Sequence, residues 1–459
     1  MKSLIKAILL SQACAIGALA QPTPQLTQNY WNSQDFIDRF MGAYGFDGDI
    51  EPSVNEEEAA VLRDTVSPLL QSGQIDAAIQ QLASALTPDS SAAMDFTLGN
   101  MFYQKAQYGR ARQYYRQAIN KFKNFLRAYK FLAVVDVQDG RYDSAIQSFL
   151  KVIELGQGDA LTYGMLGFCY MNKEQFGAAE SAYRDAILLN PDELDFRNGL
   201  IQCLYEAGRY AEAITLLEDA ILADPTKVQY WIMQTQALTN TKQFQRAIGN
   251  LEMIKRMGLA TASTANLLGE LYLNESLYDS ALGAFKLALE SKEKLRNIDY
   301  IRIAQTFLAI GSYSEAEEYV TSLEGTLDLD NDQKILVLNI KSDIYLDTDR
   351  RAEASEILQE LIGRDPSNGP ALLSLAEYNW DEMKYEQAAF YYERATKLED
   401  FAAEAYLDFA QMRAAQKKYA DAIPLLREHL RIKPSTRVTR YLENLERAAA
   451  QAAANEASS

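Results

Sequence analysis

Residues 160–193 read ALTYGMLGFCYMNKEQFGAAESAYRDAILLNPDE, and the apolar spacing in that stretch changes phase once. Tyr163, Leu166, Gly167 and Tyr170 share one face of a 3.6-residue helix. After a break between Asn172 and Glu174, Phe176, Ala179, Tyr183 and Ala186 share one face of another. Gly167 and Ala179 are small where two helix backbones must approach closely, while Phe176 and Tyr183 supply the bulk between helices. Pro191 stops the second helix, because it has no amide proton to donate and clashes with the preceding turn. The stretch therefore predicts a pair of short amphipathic helices.

Close variants of the unit recur. An alanine three residues after an aromatic recurs at Ala78, Ala111, Ala145, Ala179, Ala213, Ala247, Ala281, Ala316, Ala354, Ala388 and Ala422, at intervals of 33 to 35 except for one of 38. Three residues upstream stand Ile75, Tyr108, Tyr142, Phe176, Tyr210, Phe244, Tyr278, Tyr313, Arg351, Tyr385 and Tyr419, nine of them aromatic. Pro191, Pro225, Pro366 and Pro434 each follow their alanine by twelve residues. This pattern resembles the tetratricopeptide repeat family, whose W-x2-L-G-x2-Y, A-x3-F, P signature has the same order and period. Over residues 59–436 the match places Tyr163 for the Trp, then Leu166, Gly167, Tyr170, Ala179, Tyr183 and Pro191 in register; the first repeat departs by ending early at Pro88, another by carrying Arg351. The resemblance implies an all-α superhelical solenoid of about eleven helix pairs, closed by a capping helix within residues 437–459.

A single globular core would divide in a chain of 459 residues. A repeat stack does not, since each unit buries its core only against its neighbours. Residues 1–20, MKSLIKAILLSQACAIGALA, have Lys2 and Lys6, an apolar run and an Ala18-Leu19-Ala20 end, the layout of a secretory signal peptide cleaved after Ala20. A lipoprotein signal at Cys14 fits less well, because Ser11-Gln12-Ala13 lacks the usual leading Leu, and the apolar run is short for a membrane anchor. The expectation is a periplasmic or secreted protein. Loss of Lys2 and Lys6 takes the net charge from -18 to -20, an acidic field that disfavours nucleic acid. Cys169 and Cys203 lie 34 residues apart, at equivalent positions of adjacent repeats, about 8 to 10 Å from one another by helix packing and beyond disulfide reach. Two buried free thiols are expected.

In residues 21–58 a proline-bearing lead precedes a helix expected from Ser33, with Phe36, Ile37, Phe40, Met41 and Tyr44 on one face and Asp35, Asp38 and Arg39 on the other. That stripe needs a partner surface: it caps the first repeat, as terminal units must, or docks in the groove or on another protein. The acidic run from Glu51 to Glu58 is suited to a helix N-terminus. A basic stretch, Lys105, Arg110, Arg112, Arg116, Lys121, Lys123, Arg127 and Lys130, is read as a solvated outer face. The 38-residue interval carries Asp328, Asp330 and Asp332 in calcium-loop spacing, but Gln333 and Asn339 stand where the turn Gly and closing Glu belong, so an inter-repeat loop leading into a helix is favoured over a metal site.

The resemblance implies that the first helices of successive repeats line a groove. Mapped here, it gives Phe96, Asn100, Tyr103, Lys130, Val134, Phe168, Met171, Asn198, Gln202 and Tyr205 as candidate peptide-binding residues, amides gripping backbone and apolar surfaces taking side chains. The larger of these equally suit packing between repeats. The basic clamp some members use on a terminal carboxylate is not matched, because Phe96 and Met165 stand where polar groups are needed. No phosphate loop, HExxH, CxxC or G-x-S-x-G motif occurs, and the lone His429 falls at a repeat-core position. The expected function is an exported, non-enzymatic scaffold or adaptor for protein or peptide segments, without cofactor or metal. Alternatives are an accessory subunit of an envelope secretion, polysaccharide-export or pilus assembly, associated with the envelope or outer membrane, and an enzyme with an unrecognised site.

Overall fold

All eleven alanines of the register are fully buried in the computed structural model, which describes residues 51–458, with side chains to residue 451. The expected signal segment and the helix from Ser33 lie outside the described residues. Those described form helices and no strand, the all-α repeat architecture the spacing implies. They fall into two compact units, one ending at Asn250 and one beginning at Leu251.

In the first unit the opening helix is irregular: Glu56–Ala60, a π segment Val61–Val66 and Ser67–Gln71 follow in succession before Ile75–Ala85. Regular pairs follow, Ala92–Gln104 with Tyr108–Lys121, Leu126–Gln138 with Tyr142–Glu154, Ala160–Asn172 with Phe176–Leu189, and Leu194–Glu206 with Tyr210–Ala223. Val228–Asn240 and Phe244–Arg256 come next, the unit division falling within the latter. The second unit continues with Ala262–Asn274 and Tyr278–Glu290, Asn297–Ala309 and Tyr313–Thr326, Asn331–Asp347 and Arg351–Arg364, Gly369–Asp381 and Tyr385–Ala395, and Glu399–Ala415 and Tyr419–Ile432. Thr436–Ser458 then buries Val438 and Leu445 against Ala410, Ala422 and Leu426.

In three of the pairs a large side chain of the second helix lies against the backbone of a first helix. Tyr115 covers Gly99, Tyr183 covers both Gly167 and Gly199, and Phe285 covers Gly269; a Cβ added at Gly199 would stand 2.4 Å from Tyr183 Cε1. The turn inside every pair is as regular as the alanines. Five residues ahead of each stands a residue with positive φ: Gly73, Ala106, Gly140, Glu174, Gly208, Lys242, Ser276, Gly311, Asp349, Met383 and Lys417. In the quoted unit Gln175 N donates to Tyr170 O and Glu174 N to Met171 O, both at 2.9 Å, closing the first helix with the paired bonds of a left-handed C-terminal cap. Only four of the eleven are glycine, so the turn is imposed by the pair rather than by the residue.

The long interval is absorbed by one extra helical turn: Asn331–Asp347 has 17 residues against 13 in Ala160–Asn172, and Asp330 Oδ1 accepts from Gln333 N as its N-cap. Arg351, in the aromatic position, pairs instead with Asp349 and Asp381. Only part of the basic stretch is a solvated face: Arg110, Arg116, Lys121 and Lys123 are exposed, whereas Arg112 and Lys130 are buried. Arg112 is buried and donates through Nε to Asp136 Oδ1 at 2.5 Å, with Asp139 as second partner, and burial lifts the Asp136 carboxyl above its ordinary value against the pull of that guanidinium. Lys105 pairs with Asp76, Lys121 with Asp95, Arg127 with Glu51 and Lys130 with Asp159, so these cations tie helices together. Cys169 and Cys203 are free and buried; burial pushes the Cys169 thiol far up and Cys203 up to about 11, leaving both unreactive at neutral pH.

Gly199→Ala tests the aromatic-on-backbone contact. The added methyl collides with a ring already pinned between two glycines, so the variant loses about 1–3 kcal/mol of unfolding free energy, measured by urea titration. An unchanged midpoint would mean that Tyr183 moves freely and does not set the pairing.

Candidate functional site

The candidate groove residues sit on first helices, but most of them are interior. Phe96 is 5% exposed, with ring centroids of Phe125, Phe131 and Tyr115 at 4.9, 5.1 and 5.6 Å and the Arg127 guanidinium over its face. Phe168 meets Tyr142 edge-on at 6.1 Å, Val134 and Lys130 are fully buried, and Lys130 Nζ donates to Asp159 Oδ2 at 3.0 Å. Tyr103 packs against Tyr108 and Phe131. The amides serve the same interior. Tyr115 Oη donates to Asn100 Oδ1 and Tyr230 Oη to Asn198 Oδ1, each at 2.9 Å, while Gln202 Nε2 donates to Glu206. Met171 and Tyr205 are half-buried; Tyr205 packs edge-on against Tyr210 at 5.2 Å, and burial pushes its hydroxyl up to about 12. The row that periodicity offered as an open floor is thus largely packed between helices. Alanine at Phe96 or Phe168 would report loss of core before it reported loss of a ligand.

An open apolar surface lies elsewhere in the same unit, where helix ends meet. A cleft of about 530 Å³ is lined by Ile187 and Leu188 at the end of Phe176–Leu189, by Leu194, Arg197, Leu200 and Ile201 at the start of Leu194–Glu206, and by Leu216, Ala220 and Ala223 of Tyr210–Ala223. Arg184, Arg197 and Lys227 stand at its edge with Asp219 and Asp224. Leu188 and Leu222 are each 81% exposed, and Leu189 and Leu194 are exposed as well. Leu188 and Leu222 both lie nine residues after a register alanine. In the other nine repeats that place holds Thr87, Asn120, Glu154, Arg256, Glu290, Gly325, Gly363, Lys397 and Arg431, so the repeat itself does not ask for an apolar residue there.

Groups suited to chemistry are spoken for or dispersed. His429 Nδ1 lies 2.6 Å from Ala403 O and the ring is buried, a packing role. Among the described residues no three His, Cys, Asp or Glu side chains converge as metal ligands, and no helix is long and apolar enough to cross a membrane. The Asp408 carboxyl is pushed up to about 6 by burial and then by Glu404 and Glu377. Its folded-state value lies above its unfolded one, so the folded chain binds that proton more tightly and loses stability as pH rises between the two.

Models described as tetratricopeptide repeat match residues 170–237, residues 66–121, 96–160 and 380–435, and residues 336–368, together more than half of the chain. Cell division cycle protein 27 homolog B of Arabidopsis thaliana is 26% identical over 148 residues, 32% of this chain and 20% of the relative. DnaJ homolog subfamily C member 7 homolog of Dictyostelium discoideum is 23% identical over 362 residues, 70% of this chain and 65% of the relative. The chain thus spans a fifth of the first relative and less than two thirds of the second. A crystal structure of a tetratricopeptide repeat protein from Parabacteroides merdae superposes with TM-score 0.36 at 16% identity, covering 51% of this chain and 93% of that one.

Asp408→Asn removes the titration and keeps the shape. Its thermal midpoint equals that of the parent near pH 4 and exceeds it near pH 7 by a few degrees, on the order of 3 °C, followed by circular dichroism. A difference that does not grow with pH would dissociate Asp408 from the acid side of the stability profile.

Proposed function

Because the chain belongs to the tetratricopeptide repeat family, we propose that it is a non-enzymatic protein-interaction scaffold whose point of capture in the first unit is the cleft lined by Leu188 and Leu194, with exposed Leu222 at the equivalent place of the next repeat. The supporting observation is the pair of leucines: two large apolar side chains at the same register of adjacent repeats, almost wholly in water, where every other repeat has a polar residue or glycine. Clustered exposed apolar area beside a concavity marks a contact surface more than scattered leucines do. The floor of Leu200, Ile201, Leu216 and Ala220 takes one large apolar side chain, and the mixed charges at the edge orient the segment carrying it.

Selection of a random peptide library on the full chain enriches sequences with a Leu, Ile, Met or Phe anchor. Leu188→Asp weakens their binding about tenfold or more, since a carboxylate at the cleft mouth costs over 1.4 kcal/mol, while the thermal midpoint stays put because the residue is exposed. Fluorescence anisotropy reads both chains. Peptides with no anchor, or affinity indifferent to the substitution, would remove the cleft from consideration.

The scaffold is further proposed to work outside the cytosol, in the periplasm or secreted, with association to an envelope or outer-membrane complex as one setting. The support is Lys2, Lys6, the apolar run and Ala18-Leu19-Ala20. Amino-terminal sequencing of the protein from its native host then begins at Gln21; a chain still starting at Met1 in the cytosol would refute the placement.

A further inference from the structure

Charge is unevenly spread where the last repeat passes into the final helix. Residues 432–442 read IKPSTRVTRYL, with Lys433, Arg437 and Arg440 and no acidic residue, in a chain whose formal net charge is -18. Arg437 lies in the first turn of Thr436–Ser458, where the helix dipole disfavours a cation and favours an anion, and that turn has no acid. Helices earlier in the same unit place an acid there instead, as with Asp332, Glu353 and Asp421. Lys433 and Arg437 are exposed, and among the described residues neither pairs with a carboxylate, whereas the neighbouring Arg427 and Arg431 hold Glu446 and Glu428. Both unpaired cations line a cavity of about 930 Å³ in the second unit. Its apolar wall is built from half-buried Trp380, Leu407 and Tyr441 together with Val438, and Gln411 adds an exposed amide. No carboxylate is among the described residues that line it, in contrast to the first unit's cleft, where Asp219 and Asp224 answer the cations at the edge.

We propose that this cavity is a second capture site, for an acidic peptide segment in which a large apolar side chain adjoins two carboxylates. Charge complementarity chooses the occupant. Two separate unpaired cations call for two carboxylates, and a carboxylate beside Arg437 also supplies the negative charge that the start of the last helix lacks. The wall of Trp380, Leu407, Val438 and Tyr441 takes the apolar side chain, and the volume is that of a site which encloses a side chain and the backbone on either side of it. A nucleic acid fits less well, because three cations oppose the repulsion of the whole acidic chain and the wall offers it no further charge. The inference is independent of the cleft reading: it rests on other residues, in the other unit, and it selects by charge where the cleft selects by an apolar anchor.

The test uses the full chain carrying Leu188→Asp, so that the first unit's cleft does not contribute, and fluorescein-labelled, amidated peptides with Gly-Ser flanks read by anisotropy. A peptide with a Leu-Glu-Glu centre binds, and peptides with Leu-Gln-Gln or Gly-Glu-Glu centres bind about tenfold more weakly. Lys433→Glu with Arg437→Glu weakens the Leu-Glu-Glu peptide about tenfold or more, while the thermal midpoint does not fall, since both side chains are exposed and glutamate suits the first turn of a helix. Benzoylphenylalanine in place of the peptide's Leu crosslinks to residues 399–415 or 436–445. Absence of binding by the Leu-Glu-Glu peptide, equal binding of the Leu-Gln-Gln peptide, indifference to the double reversal, crosslinks confined to residues outside 380–445, or an oligothymidylate that binds more tightly than the peptide would each overturn the proposal.

Discussion

Everything in this chain depends on how closely two helices can approach. At each of eleven places a fully buried alanine lets the second helix of a pair come near, and in three of the pairs a Tyr or Phe of that helix rests on a glycine where no methyl would fit. Tyr183 does this twice, covering Gly167 within its own pair and Gly199 in the next, so a single ring sets both spacing within a repeat and spacing between repeats. Dispersion is lost quickly with a small radial gap, which is why the period tolerates so little variation. The one interval of 38 is absorbed as a whole added turn in Asn331–Asp347, leaving the alanine contact untouched.

That contact was also what made the architecture legible. A small residue at constant spacing with an aromatic three before it is a packing rule written in residue types, and it located the second helices from Ile75 to Tyr419. The inner turn escaped notice although it is just as periodic. A left-handed residue announces itself only as glycine or asparagine, and seven of the eleven positions hold Ala, Glu, Lys, Ser, Asp or Met, held by the capping bonds and the packing on either side. Reading the basic stretch as a solvated face holds for Arg110, Arg116, Lys121 and Lys123 and failed for the others for a related reason. Arg112, Arg127 and Lys130 look exposed in a list of charges, and only the fold brings Asp136, Glu51 and Asp159 to them.

The candidate binding surface was the least legible part. The family resemblance implies which residues of the first helices face a groove, and it picked out Val134 and Phe168 on that ground. It does not show how deeply the fold buries them. The cleft was missed because Leu188, Leu189 and Leu222 lie at helix ends, off the faces that define the repeat. The signal was nevertheless present: compared repeat by repeat, Leu188 and Leu222 are the two apolar exceptions in an otherwise polar or glycine column. In a repeat protein, what is common to the column maintains the fold, and what departs from it is free to serve a partner.

The same comparison separates the two units by chemistry. In the first, the column ahead of the alanines runs Asn100, Val134, Phe168, Gln202 and Gln236; in the second it runs Glu270, Gln305, Asp343, Glu377 and Gln411. The first therefore places apolar side chains there that the fold buries, whereas the second places carboxylates and amides there, most of which meet water. Crowding of acidic groups there has its own cost, seen where Glu377 and Glu404 join burial in holding the Asp408 proton. A chain with 63 acidic and 45 basic side chains cannot neutralise that face from within, since many of its cations are engaged in ties between helices. The two units thus differ less in fold than in what each leaves unsatisfied at its surface.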